Sequence, residues 1–566
     1  MSITILINQK SHPMFITSIQ RFLLVLLLLG SSAQSFCQEA LTTAQWQEDL
    51  SQLENSIHTQ YSHLFDKITK EEWDAKAADL RTALPHLEEH EIKVGFTKLV
   101  SAFEYGHTQV PFSTLTDDGV LAVTLYHFED GIFVEGVQKG DEKALGAKVL
   151  KIAGMPIDKA LEAIRAVVPA ENDYYFKGYG LRFLTVPSVL HAQGITSSLP
   201  KDVKFTLEKE GSTFTHTFKA ITLEEMSRDY LFATPNDTWV SARNQEITPL
   251  YLKELHDWLY RFEYLEDSKT LYVRQSSVFN DEKEGLQDFY VRLFAFMDAH
   301  PVEKLIYDVR LNGGGNNYNN KNLIKGLMAR PNINQKGHFF YIIGRNTYSA
   351  CQNLTNEIQN YTEAIIVGEP TAENLNFWGD SRPVTLGNSG IKAYLSYAWW
   401  QDMSQWDNKE FTIPHLASTM TFEQYANNQD PALEIAMNYT DTGFILKPMQ
   451  YLTDLFTAGK VQKMLDEGIR IAQNPAYKYV DFEEEFSQAA YRFFTQGDQK
   501  TGLLIYDYVT KIYPESSGAW YNLASSYEQS KNYTQAKIGY EKIIALNDTP
   551  TLVKTAQKRL AKLEKE

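Results

Sequence analysis

The chain has 566 residues, enough for about three to four domains of ordinary size. Its apolar content of 43% and its charged content of 22% are typical of globular proteins. The net charge of -17 and the isoelectric point near 5.3 argue against nucleic acid as a main partner, because such a partner requires a basic face.

The N-terminal segment, residues 1–37, has the pattern of a secretory signal. Arg21 precedes the apolar run Phe22–Leu29, which is too short to cross a bilayer, and small residues follow the run. Cleavage after Cys37 would make Gln38 the first residue of the mature chain, and a lipid attached to Cys37 is the alternative. We therefore expect an exported protein, periplasmic or extracellular, with no transmembrane segment in the mature chain.

The three regions that follow differ in the periodicity of their apolar residues. Residues 38–118 have helical spacing and predict a helical N-terminal region. Residues 119–222 alternate as strands do, and the stretch from Leu145 to Ile157 resembles a PDZ-like module, a type of domain that binds chain termini by strand addition. Residues 223–268 are rich in aromatic side chains and predict a helical connector.

Residues 269–440 predict an α/β domain. The apolar runs Leu305–Tyr307, Phe339–Ile343 and Ile365–Val367 are rich in strand-forming residues, so they predict buried strands. After Ser349, apolar residues recur at helical spacing. Ser349 is therefore expected where a buried strand turns into a helix.

That position has chemical meaning for a serine. A strand-to-helix turn holds the hydroxyl in a fixed, exposed orientation, with helix N–H groups behind it. The triple glycine Gly313–Gly315, at the end of a neighbouring strand, exposes N–H groups that can stabilise an oxyanion. These residues alone leave two interpretations open: an acyl-transfer site, or an ordinary glycine loop with Ser349 as a helix N-cap.

Three motifs follow one another in this region. They are Asp-x-Arg-x-Asn-Gly-Gly-Gly from Asp308, Arg-x-Thr-Tyr-Ser-Ala from Arg345, and Val-Gly-Glu-Pro-Thr from Val367. Together they resemble the catalytic core of one serine peptidase clan, which holds the tail-specific (C-terminal processing) proteases, the tricorn core protease and the retinoid-binding-protein repeats. The resemblance covers residues 269–439 and implies an α/β core of crotonase-like, ClpP-like fold.

The same resemblance implies roles for particular residues. Ser349 would be the nucleophile, and the oxyanion donors would be the N–H groups of Gly313 or Gly314 and of Ala350. The substrates would be polypeptides. The histidines are scattered without metal-ligand spacing, and no dinucleotide fingerprint occurs, so we expect neither a metal nor another cofactor.

The base is expected to be a histidine. The tail-specific branch places a lysine where this chain has Asn374, and an amide cannot accept the proton. The tricorn-like branch carries its base in an Asp-Gly-His-Thr motif, and this chain has Tyr-Gly-His-Thr at His107. The resemblance therefore favours His107, with His415 as a rival.

An acidic third residue would orient the base. In the tricorn-like branch this acid lies just before a Pro-Asp motif. Asp407 is the preferred candidate because it lies 58 residues after Ser349, about the expected place. Asp402 and Glu369 are the alternatives.

The C-terminal part is predicted to be helical. Residues 441–484 predict a connector, and from Glu485 the sequence matches itself at a shift of 34 residues, which aligns Phe486 with Trp520 and Tyr506 with Tyr540. This is the tetratricopeptide period. Residues 485–566 therefore predict helical hairpins of this type, which normally bind a protein partner or a second copy.

The combined prediction is an exported serine-type peptidase that hydrolyses unfolded or short polypeptides. The alternative is a catalytically inactive relative that acts as a scaffold through its PDZ-like and repeat regions. A third interpretation is a carrier of apolar ligands, since the retinoid-binding repeats share the fold.

Overall fold

The computed structural model describes residues 40–404, 409–441 and 443–563. The predicted signal segment with Cys37, and the predicted acid Asp407, lie outside the described residues. Within the described ranges, no helix is both long and apolar enough to cross a membrane.

The N-terminal region is helical, as predicted. Its helices are Thr43–Gln60, Lys70–Ala83 and Glu89–Ser101. The first two begin with capping boxes. In each, a threonine side chain accepts the backbone N–H of a Gln or Glu three residues later, whose side chain in turn accepts the backbone N–H of the threonine. Their apolar faces meet in one core, so the helical spacing identified the buried side chains: Trp46, Leu50, Leu53, Trp73, Phe96, Leu99 and Phe103.

An antiparallel sheet follows the N-terminal helices. Its strands are Val120–Leu121, Val123–Phe128, Gly131–Gln138, Lys148–Ile152, Met155–Pro156, Asp202–Lys209, Ser212–Ile221 and Trp239–Ser241. Helices Ile157–Ile164 and Pro187–Ala192 pack on it, and the aromatic segment between them forms the short helical turns Asp173–Tyr175, Phe176–Gly180 and Leu181–Thr185. The predicted strands are confirmed, whereas the PDZ-like assignment stays a prediction.

The helical connector predicted over residues 223–268 is wrong. This stretch contains strands Arg228–Asp229, Phe232–Ala233, Trp239–Ser241 and Tyr260–Leu265, and its helical pieces are the short turns Leu223–Glu225 and Glu266–Ser268. The physical reason is an alternation of aromatic residues. Phe262 and Tyr264 point to one face of their strand, where their rings pack on Phe296.

The second sheet carries the serine. In order across the sheet, its strands are Tyr260–Leu265, Thr270–Gln275, Lys304–Asp308, Phe339–Ile343, Ile365–Gly368 and Leu416–Ala417. The first pair is antiparallel and the following pairs are parallel. The loops after the parallel strands therefore meet at one edge, which is the usual place for a site in such sheets.

Helices cover both faces of this sheet. Helices Leu286–Ala299, Lys321–Met328 and Ala350–Tyr361 cover one face, and Pro431–Met437 covers the other. Neighbouring side chains on a strand alternate between the two cores: Leu305 and Tyr307 join the first, and Ile306 joins the second. Burial on both faces explains why these strands are continuous apolar runs in the sequence.

A hairpin links this sheet to the N-terminal helices. Its strands are Asn376–Thr385 and Lys392–Gln401, and its apolar residues enter the N-terminal core. Gln109 and Tyr394 exchange two backbone hydrogen bonds of 2.9 Å, and the Thr108 hydroxyl donates to the Ser396 hydroxyl at 2.9 Å. The hairpin thereby fixes the segment next to His107.

The C-terminal region is helical, as predicted. Helix Phe422–Ala426 precedes this region, and the helices of the region itself are Pro448–Thr457, Val461–Ala472, Phe482–Thr495, Gln499–Ile512, Ser517–Gln529, Tyr533–Leu546 and Pro550–Leu563. Small residues allow close packing within pairs, since a Cβ on Gly502 would lie 2.9 Å from the Ala490 carbonyl oxygen. The helices are confirmed, and their assignment to the tetratricopeptide type stays a prediction.

Candidate active site

Ser349 lies directly before helix Ala350–Tyr361, and its backbone is strained. Its φ of 55° and ψ of -129° fall in a region that non-glycine residues rarely adopt. Such a conformation costs on the order of 1–3 kcal/mol and is typically found at functional sites. The surroundings hold it in place: the Ser349 N–H donates to Glu373 Oε2 at 2.5 Å, and the Tyr348 N–H donates to the Asn312 carbonyl at 3.1 Å.

The triple-glycine loop contacts this turn. A Cβ on Gly314, which has a φ of +103°, would lie 2.6 Å from Ser349 Cβ and 2.9 Å from the Ala350 nitrogen. Only glycine therefore allows the loop to approach the serine so closely. The structure thus brings the predicted Ser349, Gly314 and Ala350 together.

The three candidate oxyanion donors differ in availability. The Gly314 N–H already donates to Asn312 Oδ1 at 2.9 Å. The Gly313 N–H has no hydrogen-bond acceptor among the described residues. Ala350 is the first residue of its helix, where N–H groups lack an acceptor within the helix. Gly313 and Ala350 are therefore the donors that a ligand oxygen can use.

His107 reaches the same place from the N-terminal region. Its ring stacks on Tyr348 at 4.8 Å and faces Phe377 at 6.2 Å, measured between ring centroids. Its Nε2 lies 3.6 Å from Glu373 Oε2, and the side chain is 20% exposed. Burial lowers the pKa of His107, while the negative charges of Glu171 and Asp380 oppose this shift. The imidazole is therefore held in its neutral form, which is the form a base requires.

Two buried carboxyl groups, Glu171 and Glu373, lie beside His107 and Ser349; we call them the acid pair. Glu171 accepts the Gly106 N–H at 2.8 Å and the Asn374 N–H at 3.3 Å. Burial raises the pKa of Glu373 to about 8. Burial and the charge of Glu373 raise the pKa of Glu171 as well. The pair therefore retains a proton at neutral pH, because two such carboxylates in one buried site do not both ionise.

The other sequence candidates lie elsewhere or have other partners. Asp402 accepts the Asn353 side-chain amide at 2.6 Å, and Glu369 forms a two-pronged ion pair with Arg345. His415 is half-buried, and its Nδ1 accepts the Ile366 N–H at 3.0 Å. Burial lowers the pKa of His415 to about 4. Asp402, Glu369 and His415 therefore have partners other than Ser349 and His107.

The sequence did not point to the acid pair. Glu373 directly precedes Asn374, which stands where the related lysine is expected, so its position in the chain was a weak signal. Glu171 has no local motif, and it meets the site through the packing of the antiparallel sheet region against the second sheet. Among the described residues, no group of three or more His, Cys, Asp or Glu side chains is arranged to hold a metal ion.

The arrangement has the parts that acyl transfer needs. A hydroxyl sits on a strained turn, a neutral imidazole lies nearby, and two N–H groups are available. A nucleophile, a base and an oxyanion site are the minimum set for covalent catalysis by serine.

Comparison with known proteins gives a weak likeness of fold. No family model matches the chain, and no curated protein matches it. Among solved structures, mature CPAF is 11% identical, with a TM-score of 0.49, over 71% of this chain and 99% of CPAF. The photosystem II D1 C-terminal processing protease is 14% identical, with a TM-score of 0.33, over 67% of this chain and 94% of that one. The tricorn protease is 12% identical, with a TM-score of 0.34, over 70% of this chain and 36% of that one. Scores this low establish no functional relationship.

Proposed function

We propose that this chain is a serine peptidase that hydrolyses peptide bonds of unfolded or short polypeptides. The observation that carries the proposal is the convergence, at one sheet edge, of the strained Ser349 turn, the glycine loop and His107. An ordinary N-cap serine would not need a strained backbone, nor a glycine pressed against its Cβ.

The proposed reaction uses these residues in turn. Ser349 Oγ attacks the carbonyl carbon of the scissile bond while His107 accepts the hydroxyl proton. The N–H groups of Gly313 and Ala350 stabilise the oxyanion, and His107 then donates the proton to the departing amine. A water molecule then attacks the acyl group on Ser349, and His107 again accepts and donates the proton. This step releases the acid product and restores the serine hydroxyl.

The acid pair is the proposed partner of the base. Glu373 Oε2 accepts the Ser349 N–H and lies 3.6 Å from His107 Nε2, so the orienting acid faces Nε2 and the proposed acceptor of the serine proton is Nδ1. We assign Glu373 the orienting role that the sequence gave to Asp407. Asp407 remains a prediction from the sequence, since it lies outside the described residues.

Export is part of the proposal and rests on the sequence of residues 1–37. Substrates would then be polypeptides met outside the cytoplasm. The alternative, an inactive scaffold, uses the helical C-terminal region for binding and needs no working base.

Hydrolysis of an unfolded protein tests the proposal. We expect the chain to cleave unfolded casein, and Ser349→Ala to lower the turnover about a thousandfold or more, because the nucleophile is lost. Ser212→Ala, which changes an exposed serine at a strand end, is the matched control and should retain full turnover. Equal cleavage by Ser349→Ala and the control would refute the assignment, and no cleavage by any chain would favour the scaffold.

A further inference from the structure

A short π-helix lies against the loop that leads to Ser349. It spans Phe176–Gly180, and we call it the π segment. π-Helical turns are rare in proteins and occur frequently at functional sites. A Cβ on Gly178 would lie 2.8 Å from the Arg345 carbonyl oxygen, so a larger residue would force the two backbones apart. No step of the proposed reaction uses a residue of the π segment.

Two hydrogen bonds in series connect the π segment to the start of the glycine loop. The Tyr179 hydroxyl bonds to Asn346 Oδ1 at 2.5 Å, and Asn346 Nδ2 donates to the Leu311 carbonyl at 3.2 Å. A carbonyl can only accept, so the Asn346 amino group faces Leu311 and its oxygen faces Tyr179. Burial raises the pKa of Tyr179, so its hydroxyl keeps its proton and is the donor in the first bond.

The Tyr179 hydroxyl also lies beside one of the two available oxyanion donors. It is 3.8 Å from the position that a Cβ on Gly313 would take, and no other atom of the described residues beyond the chain neighbours comes within 4 Å of that position. Leu311 precedes Gly313 by two residues, and Asn346 precedes Ala350 by four. The two bonds therefore connect the loop that carries one donor to the loop that carries the other.

We propose that Tyr179 is a positioning residue for the oxyanion site and that it acts through Asn346. Its hydroxyl holds the loop before Ser349 against the glycine loop, so that the N–H groups of Gly313 and Ala350 serve the same oxygen. Because the charge on that oxygen develops only in the transition state, loss of the Tyr179 hydroxyl should slow the reaction without weakening the binding of an intact peptide. This role rests on the proposed peptidase function.

A pair of ligands tests the role, because only one of them has an oxygen in the oxyanion site. The first is a fluorescently labelled alanine peptide that ends in a boronic acid, which forms a tetrahedral adduct with a serine hydroxyl. The second is the same peptide as an amide, measured by fluorescence anisotropy in the Ser349→Ala background, where no adduct forms. We expect Tyr179→Phe to weaken boronic acid binding about tenfold, less than the hundredfold or more that loss of a whole donor costs. Its affinity for the amide should stay unchanged.

Turnover of unfolded casein gives a second measurement. In Tyr179→Phe, kcat should fall by about the same tenfold while KM stays constant, as expected for an interaction made only in the transition state. Asn346→Ala should have the same effect, and the double variant should be no worse than the stronger single one, because the two residues act through one bond. Tyr540→Phe, which removes a hydroxyl bonded to Glu528 in the C-terminal helices, is the matched control and should behave as the wild type.

The outcomes separate this role from the peptidase function itself. Equal boronic acid binding and equal kcat in Tyr179→Phe and Tyr540→Phe would overturn the positioning role and leave the peptidase intact. An equal loss of affinity for the boronic acid and the amide would also overturn it, since that result indicates a general structural role or a contact with the substrate. A folded wild-type chain that neither binds the boronic acid through Ser349 nor cleaves casein would refute the peptidase and the positioning role together.

Discussion

The acid pair dominates the electrostatics next to His107. Both carboxyl groups are buried, and the pKa values of Glu373 and Glu171 are raised, chiefly by burial. A raised carboxyl pKa means that the folded state binds a proton that the unfolded chain has lost. The pair therefore lowers the stability of the fold at neutral pH, which is a common feature of functional sites.

The pH dependence of stability tests the acid pair. A free Glu ionises near pH 4.5, and Glu373 ionises near pH 8 in the fold, so between these values the folded state holds the extra proton. We expect the wild-type unfolding free energy to fall relative to that of Glu373→Gln as the pH rises from 5 to 8, by at most about 1.4 kcal/mol per pH unit. Chemical unfolding at several pH values measures this difference. Glu541→Gln, at an exposed helix position, should track the wild type, and parallel curves for Glu373→Gln and the wild type would contradict the raised pKa.

The pH profile of hydrolysis tests His107. Burial lowers its pKa from 6.5, and a base works only when neutral, so kcat/KM should fall with acid only below about pH 6.5. The charge of Asp380 raises the pKa of His107, so Asp380→Asn should move this acid limb to lower pH. Asn suits the positive φ of 44° at that position. An acid limb above pH 7, or no shift in Asp380→Asn, would argue against His107 as the base.

At the scale of elements, sequence periodicity predicted most of the fold. The apolar runs of the second sheet were recognisable because both faces of the sheet are buried. The helical spacing after Ser349 correctly predicted helix Ala350–Tyr361. In residues 223–268, the alternation of Tyr260, Phe262 and Tyr264 was a strand signal that the prediction missed, whereas Trp239–Ser241 is short and depends on a partner far along the chain, Gly131–Gln138. Pairing of that kind leaves little periodicity in so short a run.

The candidate site was predictable only for the residues that local motifs identify. Ser349 and the glycines sit in local motifs, so the sequence pointed to them. Glu171 and Glu373 meet through tertiary packing 202 positions apart, and no local pattern records such a contact. His107 required the resemblance to a family, because a lone histidine in a loop has no distinctive spacing.

The C-terminal helices offer a test at the element scale. Helices Ser517–Gln529, Tyr533–Leu546 and Pro550–Leu563 share a core, and Leu523 of the first also packs with Ala490 and Tyr506 of the preceding helices. None of the three helices contributes a residue to the candidate site. We expect a chain without residues 517–566 to hydrolyse a short peptide with kcat/KM within about twofold of the full chain, and to lose self-association or partner binding instead. Peptide turnover and sedimentation of the two chains measure this. A truncated chain that stays folded but loses all hydrolysis would contradict the separation.

At the scale of the whole molecule, the site is assembled from three parts of the chain. His107 comes from the N-terminal region, Glu171 from the antiparallel sheet region, and Ser349 and Glu373 from the second sheet. The hairpin Asn376–Thr385 and Lys392–Gln401 ties the first of these parts to the third. Residues 269–440 alone would therefore hold the proposed nucleophile without the proposed base.

Covalent labelling by a fluorophosphonate tests the central claim most directly, since the probe reacts with an activated serine and needs no knowledge of the substrate. We expect one adduct, mapped by mass spectrometry to Ser349 and absent in Ser349→Ala. His107→Ala should label at least about a hundredfold more slowly because the general base is lost, whereas His86→Ala, an exposed control, should label normally. Failure of the folded wild-type chain to label from pH 6 to 9, or an adduct on another serine, would contradict the account.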